Sequence, residues 1–166
     1  MATIRFGKLD NYMLKLHELK ADTPKIAGKA IYAGADIVAD QVKENLSKLD
    51  TVTDREGLAA AKKNMPTYLT ESARLGLIDS FGITPMQKDK NGYYNVKLGF
   101  DGYNKVKTKK YPNGQPNQLI ARACESGSTA MIKQPFMRDA VNKSRKKAEK
   151  KMAEVLAAEI KKKMEG

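Results

Sequence analysis

One histidine and one cysteine limit the chemistry open to this 166-residue chain. Nucleophilic catalysis of the Ser/His/Asp or Cys/His kind would have to run through His17. That residue stands in a helical register beside Met13 and Leu16, and reads as an edge or surface histidine of an amphipathic helix. Cys124 lies among Leu119, Ala121 and Ala123, with only Arg122 nearby to lower its pKa, and reads as a small buried hydrophobe. The carboxylates are too scattered for a metal cluster, and neither a P-loop nor a G-x-G-x-x-G after a strand is present. The expectation is no catalytic residue, no metal and no cofactor, and therefore not an enzyme.

Lysine carries what chemistry remains. The chain has 31 Lys+Arg against 19 Asp+Glu, a net charge of +12, and most of the excess sits in two stretches, Lys88–Lys110 and Arg138–Gly166. Such a balance favours polyanions or acidic protein faces. Lys105, Lys107, Lys109 and Lys110 crowd into one segment, where four charges resist unpaired burial and belong on an exposed projection. This basic arm, about 101–117, is expected to touch a neighbouring subunit or a passing polyanion. Tyr103 and Tyr111 bracket it and could stack on bases, although packing on the arm's own base suits both better. Lys143, Arg145, Lys146, Lys147, Lys150 and Lys151 read first as a solvated helix face. No zinc module or recognition-helix motif is legible, and tryptophan is absent.

The elements that must position these groups follow from periodicity. Leu9, Tyr12, Met13, Leu16 and Leu19 predict a helix over 8–20, and Asp22-Thr23-Pro24 then reads as the N-cap and first turn of a second, long helix. Ile26, Ala30, Ile31, Val38, Val42 and Leu46 hold its apolar face. Asp50 to Pro66 reads as a connecting arm, with Asp54 capping a short helix, and Thr70 opens another. Asn91-Gly92, between two β-prone runs, predicts a hairpin with a type I′ turn. Asn117 is expected to cap a helix over Gln118–Glu125, with Gly127 as its left-handed terminator. A last helix over 136–164 carries a seam of Ala148, Met152, Val155, Leu156 and Ile160, which predicts packing on the long earlier helix. A lone cysteine forms no disulfide within the chain, which points to a reducing compartment. Charged residues break the first twenty positions, against a signal peptide, and no apolar run is long enough for a membrane helix. The fold class expected is α+β: long amphipathic helices on a small antiparallel sheet, with a protruding basic loop or hairpin, in one domain over 1–166.

Five motifs in order carry a resemblance. They are Asp79-Ser80-Phe81-Gly82-Ile83; Val96 through Asp101-Gly102-Tyr103-Asn104; Tyr111-Pro112-Asn113-Gly114-Gln115-Pro116-Asn117; Glu125-Ser126-Gly127-Ser128; and Pro135-Phe136-Met137-Arg138-Asp139-Ala140. Together they resemble the gene-product-ten family of HK-type siphophages, over nearly the whole chain. The last motif lacks the second proline of the family's usual pattern, which leaves the start of the final helix less fixed. The resemblance implies a structural role for Glu125, Gly127, Pro135, Phe136 and Arg138, and no catalytic residues. It implies a neck, head–tail joining or tail-completion subunit, in a homo-oligomeric ring of six or twelve copies. Its partners would be the adjoining head–tail connector and tail proteins, with non-specific contact to genomic DNA and none to membrane. Its location would be the virion's head–tail junction, after assembly in the host cytoplasm. The alternative is a small basic nucleic-acid-binding protein.

Overall fold

The structure, a computed structural model, describes residues 10–105 and 110–165, the side chains of 10–17 excepted. The His17 side chain and the first residues of the expected 8–20 helix therefore lie outside the described residues. Its first element corrects the reading at Pro24. Helix α1 runs unbroken over Asp10–Ser47, with Pro24 inside it. An internal proline removes a donor and crowds the carbonyl four residues back, at about 3 kcal/mol. Here long-range packing outweighs that local signal. The Thr23 hydroxyl donates to the Leu19 carbonyl at 3.0 Å, just before the ring. On either side of Pro24, α1 is tied to the last helix, α5 (Met137–Glu165): Asp22 pairs with Lys163, and Lys29 with Glu159 at 2.7 Å.

The two helices are antiparallel, because the partners fall along α5 as they rise along α1. Asn45 donates to the Phe136 carbonyl at 3.0 Å, Gly34 lies against Met152 and Ala148, and Lys29 meets Glu159. At 1.5 Å per residue α1 is about 57 Å long and α5 about 43 Å. At Gly34 they pack tightly: a Cβ there would overlap the Met152 side chain. The expected seam does pack on α1, but unevenly. Ala148 is buried and Met152 and Val155 are half-buried, whereas Leu156 and Ile160 are 41% and 37% exposed along the flank.

The Asp22–Lys163 and Lys29–Glu159 pairs make the far end of this helix pair pH-sensitive. Lys163 holds the Asp22 carboxyl below its ordinary 3.8, and Lys29 holds Glu159 below 4.5, in each case chiefly by a direct hydrogen bond. A carboxylate with a depressed folded-state pKa contributes stability above its unfolded value, and the contribution is lost as pH falls through the folded one. Lys163 is raised by Asp22, so its share is lost only at the alkaline end, as pH climbs through that raised value. Amide protection around residues 19–30 and 156–165, taken against the intrinsic exchange rate at each pH, is therefore expected to fall below about pH 4, ahead of global acid unfolding, and more weakly in high salt, which already screens both exposed pairs. Equal protection factors at pH 7 and pH 3.5, each taken against the intrinsic exchange rate at that pH, would show that the pairs contribute nothing.

After α1 the expected connecting arm is a small βαβ unit. Strand β1 (Thr51–Val52) is parallel to β2 (Leu69–Thr70), with α2 (Asp54–Lys62) as the crossover. Thr53, one residue before the expected Asp54, caps α2 in a capping box with Glu56. Gly57 is buried because α2 lies on the strands; a Cβ there would meet Thr70. Thr70 caps α3 (Glu71–Ser80) as expected, accepting from the Ala73 N–H. The α3 residue Arg74 sends its guanidinium to the Ser47 and Leu49 carbonyls at the end of α1, which has no basic residue of its own in its last turn.

The hairpin is present, with a different turn. Strand β3 (Phe81–Ile83) pairs antiparallel with β6 (Leu98–Phe100), and β4 (Gln87–Lys88) with β5 (Tyr94–Asn95) inside it. Gly92 has φ +87°, but among the described residues Asn64 is the only non-glycine with positive φ, so Asn91 is not in a type I′ turn. The loop is longer: Asp89 and Tyr93 pair across it, and the Asp89 carboxylate accepts from the Asn91 and Tyr93 N–H groups at 2.8 and 2.9 Å. That is a type I turn closed by a left-handed glycine, the three-residue alternative. Pro85 interrupts the ladder, and the Tyr32 hydroxyl of α1 bridges the gap, accepting from the Met86 N–H at 2.8 Å.

Helix α4 (Asn117–Ser126) then leads to α5. The core lies where α1, α3, the β3–β6 pair, α4 and the start of α5 meet, and its most buried side chains are Phe136, Leu46, Leu69, Leu77, Val42 and Cys124. Phe100 joins two rings within it, 5.1 Å from Phe81 and 5.9 Å from Phe136. Burial of each large apolar side chain contributes about 1.5–3 kcal/mol. The architecture is α+β, and the small sheet takes the form of three two-stranded ladders, two of them antiparallel.

Candidate functional site

The base of the basic arm is built from backbone. Tyr103 and Pro116 form an antiparallel bridge. The Asn104 N–H donates to the Gln115 carbonyl at 2.9 Å, and the Gln115 N–H to the Asn104 side-chain oxygen at 2.8 Å. Gly114 makes the closure possible. It is buried with φ +103°, and a Cβ on it would overlap the Asn104 carbonyl oxygen. Of the four arm lysines, Lys105 and Lys110 are exposed, while Lys107 and Lys109 lie outside the described residues. The Lys110 ammonium stands 5.4 Å from the centre of the Tyr111 ring, which is half-buried. Tyr103 does not pack on the base as expected; its backbone makes the bridge and its side chain leaves it 64% exposed.

Asn117 is likewise corrected. It is the first residue of α4, behind Pro116, and does not cap the helix. Its side chain turns back to donate to the Asp101 carbonyl at 2.8 Å and is 4% exposed, so it joins α4 to the end of β6. Asparagine is a common cap by type, but Pro116 already occupies the entry position.

Glu125, Gly127, Pro135, Phe136 and Arg138 come together at the joint between α4 and α5. The Glu125 carboxylate accepts from three successive N–H groups at the start of α5: Phe136 and Met137 at 2.8 Å each, and Arg138 at 3.0 Å. A helix start leaves such donors without intrahelical partners, and a carboxylate there also meets the positive end of the helix dipole. Phe136 is 1% exposed in the core. Gly127 ends α4 with φ +78° and ψ 160°, an extended mirror-image conformation in place of the left-handed helical one expected, and its N–H donates to the Ala123 carbonyl. Pro135 and the Arg138 side chain are exposed. Beside them Gln134 pairs with the Asp50 backbone through both side-chain atoms, at 2.9 and 3.0 Å. Neither Gln134 nor Arg74 stands out in the sequence, because each acts on backbone far along the chain.

Cys124 is fully buried, and burial first, then the Glu125 charge, pushes its thiol up to about 11, which opposes thiolate chemistry. Among the described residues no three His, Cys, Asp or Glu lie close enough to share a metal ion, and no helix is long and apolar enough to cross a membrane. On α5, Lys143, Lys146, Lys147 and Lys150 are exposed at three- and four-residue spacing and so share its outward face. Comparison of the chain with protein-family models, curated proteins and solved structures finds no match.

Proposed function

We propose that this chain is a structural subunit of a tailed-phage virion, a neck, head–tail joining or tail-completion protein that works as a homo-oligomeric ring at the capsid–tail junction. The observation that carries the reading is the ordered set of motifs and where they fall. The Asp79 and Val96 motifs form β3 and β6, the Tyr111 motif forms one side of the arm base, and the Glu125 and Pro135 motifs form the α4–α5 joint. Phe81, Phe100 and Phe136 bring three of these segments together, Glu125 joins the fourth through the Phe136 N–H, and Asn117 ties the fifth to the Asp101 carbonyl, so the resemblance rests on one contiguous unit. In this reading the arm lysines contact a neighbouring subunit, an adjoining ring or passing DNA.

Light scattering and electron microscopy of the purified protein, alone and co-produced with proteins encoded beside it, are expected to show rings of six or twelve copies. Replacing Lys105, Lys107, Lys109 and Lys110 together with Gln is expected to leave the circular dichroism spectrum and melting temperature of the subunit unchanged while abolishing rings or infectious particles. Normal particles from that variant would remove the arm from assembly. The second reading, a nucleic-acid-binding protein, draws on the outward lysine face of α5. It predicts a monomer whose duplex affinity falls linearly with log salt, with a slope near −0.9 per phosphate contact. A monomer of that behaviour, without rings under any condition, would replace the first reading.

A further inference from the structure

The outer edge of β6 is open. In the β3–β6 ladder Thr84 donates to the Lys97 carbonyl and Asp101 to the Ser80 carbonyl, with Gly82 opposite Gly99 between them. Hydrogen-bonded pairs alternate along an antiparallel ladder, so Lys97, Gly99 and Asp101 face β3, while the N–H and C=O groups of Leu98 and Phe100 point the other way. Among the described residues no group bonds them, and β6 has no second strand neighbour. The β6 residues Leu98, Gly99 and Phe100 also line a groove of about 290 Å³. The α4 residues Gln118, Ala121, Arg122 and Glu125, three or four apart, line it too, with Phe136 and Met137.

Two features fit the groove to another backbone. Gly99 stands between the two outward-facing residues, and a Cβ on it would meet nothing within 4 Å; a glycine inside a strand often marks close approach by a second chain. The volume lies at the lower limit of small-molecule pockets, about 300–1,000 Å³. Charge then selects the occupant. Arg122 and Lys97 are exposed beside the groove, and no described carboxylate pairs with Arg122. Glu125 is engaged with the start of α5.

We propose that this groove takes an extended, carboxylate-bearing segment of a different protein as an added strand on β6. The added strand pairs with Leu98 and Phe100 through main-chain hydrogen bonds, which give affinity, and places a carboxylate against Arg122, which gives selectivity. The proposal stands apart from the virion reading, since it requires only the groove.

The probes are two short capped peptides, one alternating valine with glutamate and one alternating valine with lysine. Titration calorimetry is expected to show saturable binding of the glutamate peptide and none of the lysine peptide, with slowed amide exchange at Leu98 and Phe100. Arg122→Glu leaves the core untouched; it is expected to weaken the glutamate peptide about tenfold and to admit the lysine peptide. Leu98→Pro, which removes one outward N–H and no β3–β6 bond, is expected to lose the glutamate peptide too. Equal binding of both peptides, unchanged exchange at Leu98 and Phe100, or insensitivity to Arg122→Glu would each overturn the proposal. So would concentration-dependent self-association that protects the same two amides without peptide, which would place a second copy in the groove.

Discussion

Gly114→Ala is expected to lower the melting temperature by about 10 °C and to open the base of the basic arm. The φ of +103° at this position is outside what an L-residue adopts without strain, at about 1–3 kcal/mol. The new methyl would also be driven into the Asn104 carbonyl, which is backbone and cannot rotate aside as a side-chain tip can. Relief requires Asn104 and Gln115 to separate, with loss of two hydrogen bonds worth about 1 kcal/mol each. The sum, about 3–5 kcal/mol, converts at roughly 2–4 °C per kcal/mol for a chain of this size. Thermal denaturation followed by circular dichroism measures it, and Asn113→Ala, at the exposed neighbouring position, is the control expected to melt like the parent. If Gly114→Ala matches that control, the two sides of the arm do not meet as described. Because Lys105 and Lys110 leave from this base, the same variant is expected to impair whatever contact the arm makes without altering its charge.

Glu125→Ala carries the second large effect, about 3 kcal/mol. One carboxylate satisfies three N–H groups at the start of α5, and charge-assisted bonds are about twice as strong as neutral ones. Alanine leaves those donors without their partner directly above Phe136, and the usual range for losing a helix cap, about 0.5–2 kcal/mol, is exceeded because three bonds go at once. Glu125→Gln retains one acceptor oxygen and is expected to recover about half of the loss. Native-state amide exchange separates this from a general loosening. Phe136, Met137 and Arg138 should exchange much faster in Glu125→Ala, while α2 and the Asp89–Tyr93 turn keep their parental rates. Uniform acceleration throughout the chain would mean that Glu125 acts through the core and not as a cap. This carboxylate restrains the start of α5.

Both positions show how far the sequence can be read. Gly114 and Glu125 stand out as members of motifs, yet the partner of Gly114 is ten residues away and those of Glu125 are 11 to 13 away. No spacing rule for helices or turns reaches that far. Arg74 at the end of α1, Gln134 on the Asp50 backbone and the open edge of β6 are harder still, since each depends on which elements become neighbours.

What the sequence alone determined was local and periodic. Apolar spacing marked α5 to within a residue at each end, Thr70 marked the start of α3, Gly92 marked the hairpin loop, and the surroundings of Cys124 marked a buried thiol. Each depends on energies set within a few residues: a cap, a turn glycine, an apolar stripe. The tertiary structure decided the continuity of α1 through Pro24, the parallel pairing of β1 with β2, and the place of Asn117 inside α4. In each case a local preference of about 1–3 kcal/mol was overruled by contacts made elsewhere, which no window along the chain contains. For Pro24 the overruling contact is with α5, whose Glu159 and Lys163 grip α1 on both sides of a residue that would by itself have ended the helix.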